Sequence, residues 1–329
     1  MRRFYPVIVL LLLSPIIGEV LLGSTPISKI YTLIPQIGLY GGGALLIREI
    51  SRRWSLGWLS ILLLGIVYGI TEEGLIVSSI FDPHFPGKDA LAGYGWLHGF
   101  NYVWAVAIIG YHAIWSVTIP IMLTELLFPK QSDKAWLGNF GLSAFGLLYV
   151  LSAILIRYAL FDLTHFHFTA AQVIVTALVI VVLTVIAFFL PLPRQSAAAR
   201  AIHTDAIGAS VRAASFGFLF GAVWLGIFLL MFELAPSGFP PIVITAANVL
   251  VATGFVYLFV KMLPSFHISR YTQFAFAAGV LLVDPLAGMG VVYDPNDRLD
   301  MYGQLAVLIL TIIGLILMRR KLARSGTAV

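Results

Sequence analysis

Apolar runs of about twenty residues recur along the chain, separated by short segments that carry charge, proline or glycine. A helix needs about 20 residues to cross the roughly 30 Å hydrocarbon core of a bilayer. Read in order, the pattern predicts ten transmembrane helices at about 6–23, 29–47, 56–80, 99–128, 139–161, 168–190, 213–233, 241–263, 271–290 and 301–318. The longest segments between them, about 81–98, 191–212 and 291–300, leave no room for a soluble domain. The whole chain, 1–329, therefore reads as one all-α, polytopic integral membrane helical bundle. Met1-Arg2-Arg3 ahead of the first run has the look of a signal peptide, but Pro15 and Glu19 inside it favour a retained helix.

Composition agrees with this reading: 60% of the residues are hydrophobic and 11% charged, against roughly 45–50% and about 25% in an ordinary soluble domain. Cysteine is absent, which excludes thiolate catalysis, cysteine-bound zinc, iron–sulfur clusters and disulfides. The net charge of +5 is informative through its placement. With ten spans, one side receives Arg2, Arg3, Arg48, Arg52, Arg53, Lys130, Lys134, Arg194, Arg200, Arg212, Lys261, Arg270, Arg319, Arg320, Lys321 and Arg324. The other side receives Lys29, Lys88, Arg157 and Arg298. Sixteen against four is the bias of a cytoplasmic side, and it puts both termini in the cytoplasm. The basic excess is thus a topology signal with a contribution from anionic membrane lipid, not a nucleic-acid surface. A multi-pass protein of a cell membrane, of the bacterial inner-membrane kind, is the expected setting.

Ionisable residues inside a span are costly and mark functional sites or paired structural groups. Glu19, Glu72, Glu73, His112, Glu125, Arg157, Glu233 and Asp284 fall in spans. Arg157, Glu233, Asp284 and Glu125 lie near predicted span ends, where a structural or interfacial role suffices. Glu72 and Glu73 are consecutive and deep, roughly 10–12 Å from the outer end of a helix drawn from Trp58 to Ile80. Neighbouring helical residues point about 100° apart, so at least one carboxylate faces protein or water. On the next span His98, Asn101, His112 and Ser116 fall at helical spacing on one face. Antiparallel packing of the two spans makes a Glu–His pair available, with Glu19 close enough to join it. Arg48, about 20 Å away along the helix axis, is not a partner for Glu72. The segment 81–98, rich in proline, glycine and aromatics, reads either as a lid over the carboxylates or as a re-entrant connection. The sequence DPNDRLD, with Asp294, Asn296, Asp297 and Asp300, lacks the glycine and distal glutamate of an EF-hand loop and is not assigned to calcium.

A Glu-Glu pair on one span followed about forty residues later by a histidine on the next resembles the CAAX-protease and bacteriocin-processing (CPBP, or Abi) superfamily of intramembrane proteases. Its signature is E-E-x-x-x-R, then F-x-x-x-H, then H-x-x-x-N/B on a later helix. Residues 55–128 carry the likeness: TEEGLIV supplies Glu72 and Glu73, and IIGYH supplies His112, with Ile108 where the family has phenylalanine. Val77 stands at the arginine position, and no later span holds H-x-x-x-N; His165, His167 and His267 sit at loop edges, and Asn248 has no nearby histidine. The resemblance implies that a glutamate and His112 activate water, with oxyanion donors drawn from Asn101, His98 or Asn248.

The expectation is accordingly an intramembrane protease-like protein whose catalytic set is Glu72, Glu73, His112 and Asn101, with Glu19, His98 and Ser116 on the substrate side and no metal or cofactor. Its substrate would be a membrane peptide or a small molecule. The rival expectation is a secondary transporter or proton-coupled carrier using the same carboxylates, with Gly41-Gly42-Gly43 and Pro120 marking broken helices. A third is a non-catalytic scaffold whose polar stripe binds a partner helix.

Overall fold

A computed structural model describes residues 4–190, 206–292 and 298–324. Ten helices among them are long and apolar enough to cross a membrane: α1 Phe4–Leu21, α2 Ile27–Arg53, α3 Trp58–Ile76, α4 Tyr102–Leu127, α5 Asn139–Thr164, α6 Ala170–Phe189, α7 Ile207–Ser237, α8 Pro241–Phe266, α9 Arg270–Val291 and α10 Arg298–Arg324. The chain is an all-α membrane protein with the expected number of spans. Arg2, Arg3, Arg194 and Arg200 of the charge count, and Asp294, Asn296 and Asp297, lie outside the described residues.

The helix at the centre is α4, with 83% of its apolar window buried against 6% for the peripheral α5. It packs against α1, α3, α8 and α9. Its contact with α3 is backbone to backbone, because a Cβ on Gly65 would stand 2.8 Å from the Ala113 carbonyl oxygen and 2.9 Å from the Ala113 Cα. That approach brings the outer half of α3, with its two glutamates, within reach of His112.

Helices α1 to α4 are each widened by one π-helical turn, at Ile16–Leu21, Ile37–Gly41, Glu72–Ile76 and His112–Thr118. Such turns are uncommon and gather at functional sites. Prolines flank two of them. Pro120 has no N–H to give to the carbonyl four residues back, which is that of Ser116, and the Ser14 hydroxyl donates to this carbonyl at 2.6 Å instead. The helices expected to be broken at Gly41–Gly43 and Pro120 are therefore continuous but locally widened.

At the inner end, Arg48 is wholly buried and gives Nε to Glu125 at 3.0 Å, Nη1 to Glu49 at 2.7 Å and Nη2 to the Gln131 and Ser132 carbonyls at 3.0 and 2.8 Å. Its guanidinium lies 3.5 Å from the Trp136 ring centroid. Arg52 donates Nε to Glu125 Oε1 at 2.7 Å and Nη2 to Glu125 Oε2 at 2.6 Å. Glu125, expected to have a structural or interfacial role, is a buried ion-pair partner, and Arg48 is engaged there rather than at Glu72.

Two boundaries differ from expectation, and the difference matters for the site. Helix α3 ends at Ile76, not 80, and α4 starts at Tyr102, not 99. Between them the chain folds back over the helix ends through a small hairpin, β1 Trp96–Leu97 paired with β2 Phe100–Asn101. Its two-residue turn places His98 at φ 50 and Gly99 at φ 75, the pair of positive angles that a type I′ turn demands. Asn101 then caps α4 by accepting from the Trp104 N–H at 3.0 Å. The helical stripe beginning at His98 does not exist, because turn chemistry overrides the spacing in its first four residues.

Candidate functional site

His112 opens the widened turn of α4 and is 2% exposed; Glu72 and Glu73 open that of α3 and are 2% and 6% exposed. The imidazole stands between the two carboxylates. Nε2 lies 2.8 Å from Glu73 Oε1, while Nδ1 lies 2.9 Å from Ser116 Oγ and 3.5 Å from Glu72 Oε2. Consecutive glutamates can reach opposite edges of one ring because their directions diverge. With Nε2–H donating to Glu73, Nδ1 faces Ser116 and, further off, Glu72.

The two glutamates are not equivalent. Glu73 is tied on both oxygens, since its other oxygen accepts from the Ser79 hydroxyl, which itself accepts from Trp104 Nε1 at 2.8 Å. Among the described residues Glu72 Oε2 has no close hydrogen-bond donor, and the buried Tyr68 hydroxyl faces Glu72 without a close hydrogen bond of its own. The rings of Tyr40 and Tyr68 flank His112 at centroid distances of 5.7 and 6.0 Å. Tyr149 on α5 lies within electrostatic reach of Glu72. Burying a carboxylate oxygen without a donor is costly, so Glu72 is held in place by its surroundings rather than by its own bonds.

The expected residues divide as follows. Glu72, Glu73, His112 and Ser116 converge. Glu19 borders them: it accepts from the Tyr40 hydroxyl and, at 2.8 Å, from Thr25, and reaches His112 only through the Tyr40 ring. Asn101 is spent on the helix cap and on the Tyr94 carbonyl, to which Nδ2 donates at 3.3 Å. His98 is exposed at the hairpin tip and takes no part in the cluster. Asn248 is fully buried with neither side-chain atom hydrogen-bonded, but it makes no bond to the three central residues. Glu233 is exposed near the end of α7, as expected of an interfacial group. Asp284 is a correction: placed near a span end by its sequence position, it is wholly buried inside the bundle.

The sequence reading missed the lining of the site: Tyr40, Tyr68, Tyr149, Ser79, Trp104 and Lys88. Tyr68 stands one helical turn before Glu72, a spacing that was available as a signal; the others come from distant segments. Lys88 belongs to the segment 77–101 that covers the cluster. It is buried, donates to the Ser79 carbonyl, and faces the rings of Phe85, Trp96 and Trp104 at 5.1, 6.0 and 5.2 Å. Burial lowers its pKa to about 8. The segment is thus packed, a feature common to the lid and the re-entrant connection, and Phe81 and Tyr94 are buried.

One donor atom from each of Glu72, Glu73 and His112 lies within 4.8 Å of the others. Zinc–ligand bonds of about 2.0–2.2 Å would place tetrahedral ligand atoms under about 3.6 Å apart, so a divalent ion would have to draw the three together. Two grooves open on the described surface. A groove of about 1030 Å³ lies between α7, α9 and α10, away from the cluster and without a carboxylate in its lining. A smaller one of about 420 Å³ lies between α3 and α5, lined by Leu75, Ile76, Ala153, Ile154, Arg157 and Phe161 among others, one turn from Glu72. Arg157 on its rim donates to Ser78 Oγ at 2.8 Å and to the Phe166 carbonyl at 2.7 Å.

No curated protein and no solved structure matches the chain. Residues 8–293, which include every residue of the cluster, most of α1 and all of α2 to α9, match an uncharacterized membrane protein family, and the chain belongs to that family.

Proposed function

We propose that the chain is an intramembrane hydrolase of peptidase type in a bacterial inner membrane, acting in the outer half of the bilayer on a peptide segment that lies in it. The observation that carries this reading is the asymmetry of the two glutamates. Glu73 orients His112, and Glu72 stands beside the ring with an oxygen that has no close protein donor. Glu72 takes a proton from water, the hydroxide oxygen adds to the scissile carbonyl carbon, and the proton passes to the departing amine as the C–N bond breaks. The likeness to the CPBP superfamily over residues 55–128 assigns the same pair of groups to water activation. The groove between α3 and α5 supports entry from the lipid side. Asn101 and His98 are otherwise engaged or remote, so the oxyanion donor on this reading is the Tyr68 hydroxyl, which has no close hydrogen bond of its own.

The burial of all three groups favours a second reading as a proton- or cation-coupled carrier. The test uses purified wild type, Glu72→Gln and His112→Ala. Cleavage of a membrane-peptide library by wild type in EDTA, lost in both variants, with no ion-driven uptake in liposomes, is expected. Proton- or sodium-driven uptake abolished by Glu72→Gln, without cleavage, would overturn the hydrolase reading.

A further inference from the structure

A further carboxylate lies buried in the bundle and makes no bond to Glu72 or Glu73. Asp284 on α9 is 0% exposed, and among the described residues no lysine, arginine or histidine forms an ion pair with it. Among the described residues its side-chain hydrogen-bond partner is the Tyr111 hydroxyl of α4, 3.3 Å from Oδ1 and 3.4 Å from Oδ2. The same hydroxyl lies 3.1 Å from the Gly18 carbonyl oxygen and 3.4 Å from that of Ile17. Both carbonyls belong to the widened turn of α1.

Four acceptor oxygens from α1 and α9 thus gather about the Tyr111 hydroxyl of α4, which supplies a single proton. One O–H can satisfy one acceptor well, and O–H···O bonds run at about 2.5–3.0 Å, shorter than all four distances here. The spacing suits something else. Around a cation with oxygen bonds of about 2.3–2.6 Å, as calcium has, neighbouring ligands of an octahedral shell stand about 3.3–3.7 Å apart. Sodium is nearly the size of calcium, and the site carries one negative charge. A monovalent ion leaves it neutral, whereas a divalent ion would leave a net charge in a low-dielectric interior. Carbonyls of an interrupted helix turn beside a carboxylate are the donors with which membrane proteins hold dehydrated sodium.

We propose that Asp284, Tyr111 and the carbonyls of Ile17 and Gly18 form a sodium site. It is separate from the hydrolase reading and uses none of its residues. The two sites share a wall: a Cβ on Gly18 would stand 2.6 Å from Ser116 Oγ and 3.0 Å from the Tyr40 ring, while the Gly18 carbonyl faces Tyr111. Sodium bound there clamps α1 to α4 and α9 directly behind His112.

The experiment measures the thermal unfolding midpoint of the purified full chain in detergent at equal ionic strength in sodium, potassium or choline chloride, together with binding of radioactive sodium. The expected result is a saturable rise of the midpoint with sodium, a smaller one with potassium and none with choline, and one sodium bound per chain. Asp284→Asn should abolish both signals, Tyr111→Phe should weaken sodium at least several-fold, and Glu72→Gln should retain both. Equal midpoints in sodium and choline with no saturable sodium binding to wild type would overturn the proposal, leaving Asp284 as a protonated acid. Wild-type-like sodium binding by Asp284→Asn that elutes as a folded, monodisperse protein would overturn it equally. Should that variant not fold, unchanged sodium affinity in Tyr111→Phe would do so.

Discussion

Replacing each central glutamate by methionine, which keeps the length and removes the carboxylate, should move stability in different directions. Glu73 accepts from His112 Nε2 at 2.8 Å and from the Ser79 hydroxyl. Both donors would be stranded in a buried setting, at about 1–3 kcal/mol each, so Glu73→Met should cost about 2–6 kcal/mol. Glu72 has one oxygen without a close donor, and its nearest ring nitrogen, 3.5 Å away, keeps Ser116 at 2.9 Å. Removing that carboxylate relieves a desolvation penalty of about 1–3 kcal/mol and breaks no close hydrogen bond at Oε2. Glu72→Met should therefore be neutral or stabilising, while abolishing any activity that depends on the site, the pattern of a group retained for function against stability. Unfolding in mixed micelles of rising SDS fraction, followed by circular dichroism, reads both signs in one series. If Glu72→Met destabilised the protein as much as Glu73→Met, both glutamates would be members of a structural hydrogen-bonded seam, and the functional argument from their asymmetry would fail.

Arg48 meets its acceptors in a planar fork and stacks on Trp136, so a lysine cannot replace it. Arg48→Met should destabilise by about 3–5 kcal/mol, as breaking a buried pair does, and Arg48→Lys should recover less than half of that in the same micelle titration. For Lys88 the folded pKa, about 8, lies below its ordinary 10.5. The unfolded cover binds the extra proton between those values, so docking of the 77–101 segment tightens as pH rises from about 8 to 10.5 and is weakest below 8. Protease nicking of that segment should slow over this window in wild type and lose its pH dependence in Lys88→Met; a slope that persists in the variant would assign the effect to another group.

Span number and class were legible because the bilayer imposes a length and an apolar content that local composition reports directly. The Glu-Glu and His112 convergence was legible too, since adjacent antiparallel helices put their outer halves side by side. The limits came from places where local chemistry breaks the 3.6-residue rhythm. His98 and Asn101 fit a helical stripe by count, yet a Gly at 99 allows a tight hairpin and an Asn before Tyr102 makes a cap. Asp284 was assigned by its distance along the chain to an interface, whereas its burial depends on how α9 stands against α1 and α4. Tyr40, Tyr149 and Lys88 reach the site from segments with no sequence proximity to it, and tyrosines in apolar helices look like packing residues until their hydroxyls are placed.

One helix carries His112 and Glu125, thirteen positions and so about 20 Å apart, with the widened turn His112–Thr118 directly between the outer and inner halves. Closing that turn to ordinary α geometry would advance everything beyond it by about one residue, a twist of roughly 100° and a slide of about 1.5 Å. Glu125 resists such a twist, being gripped by Arg48 at 3.0 Å and Arg52 at 2.6 Å. The inner ion pairs therefore work as a torsional clamp on the helix. Loosen them, and the angle at which the imidazole meets its two carboxylates on the far side of the membrane is no longer set.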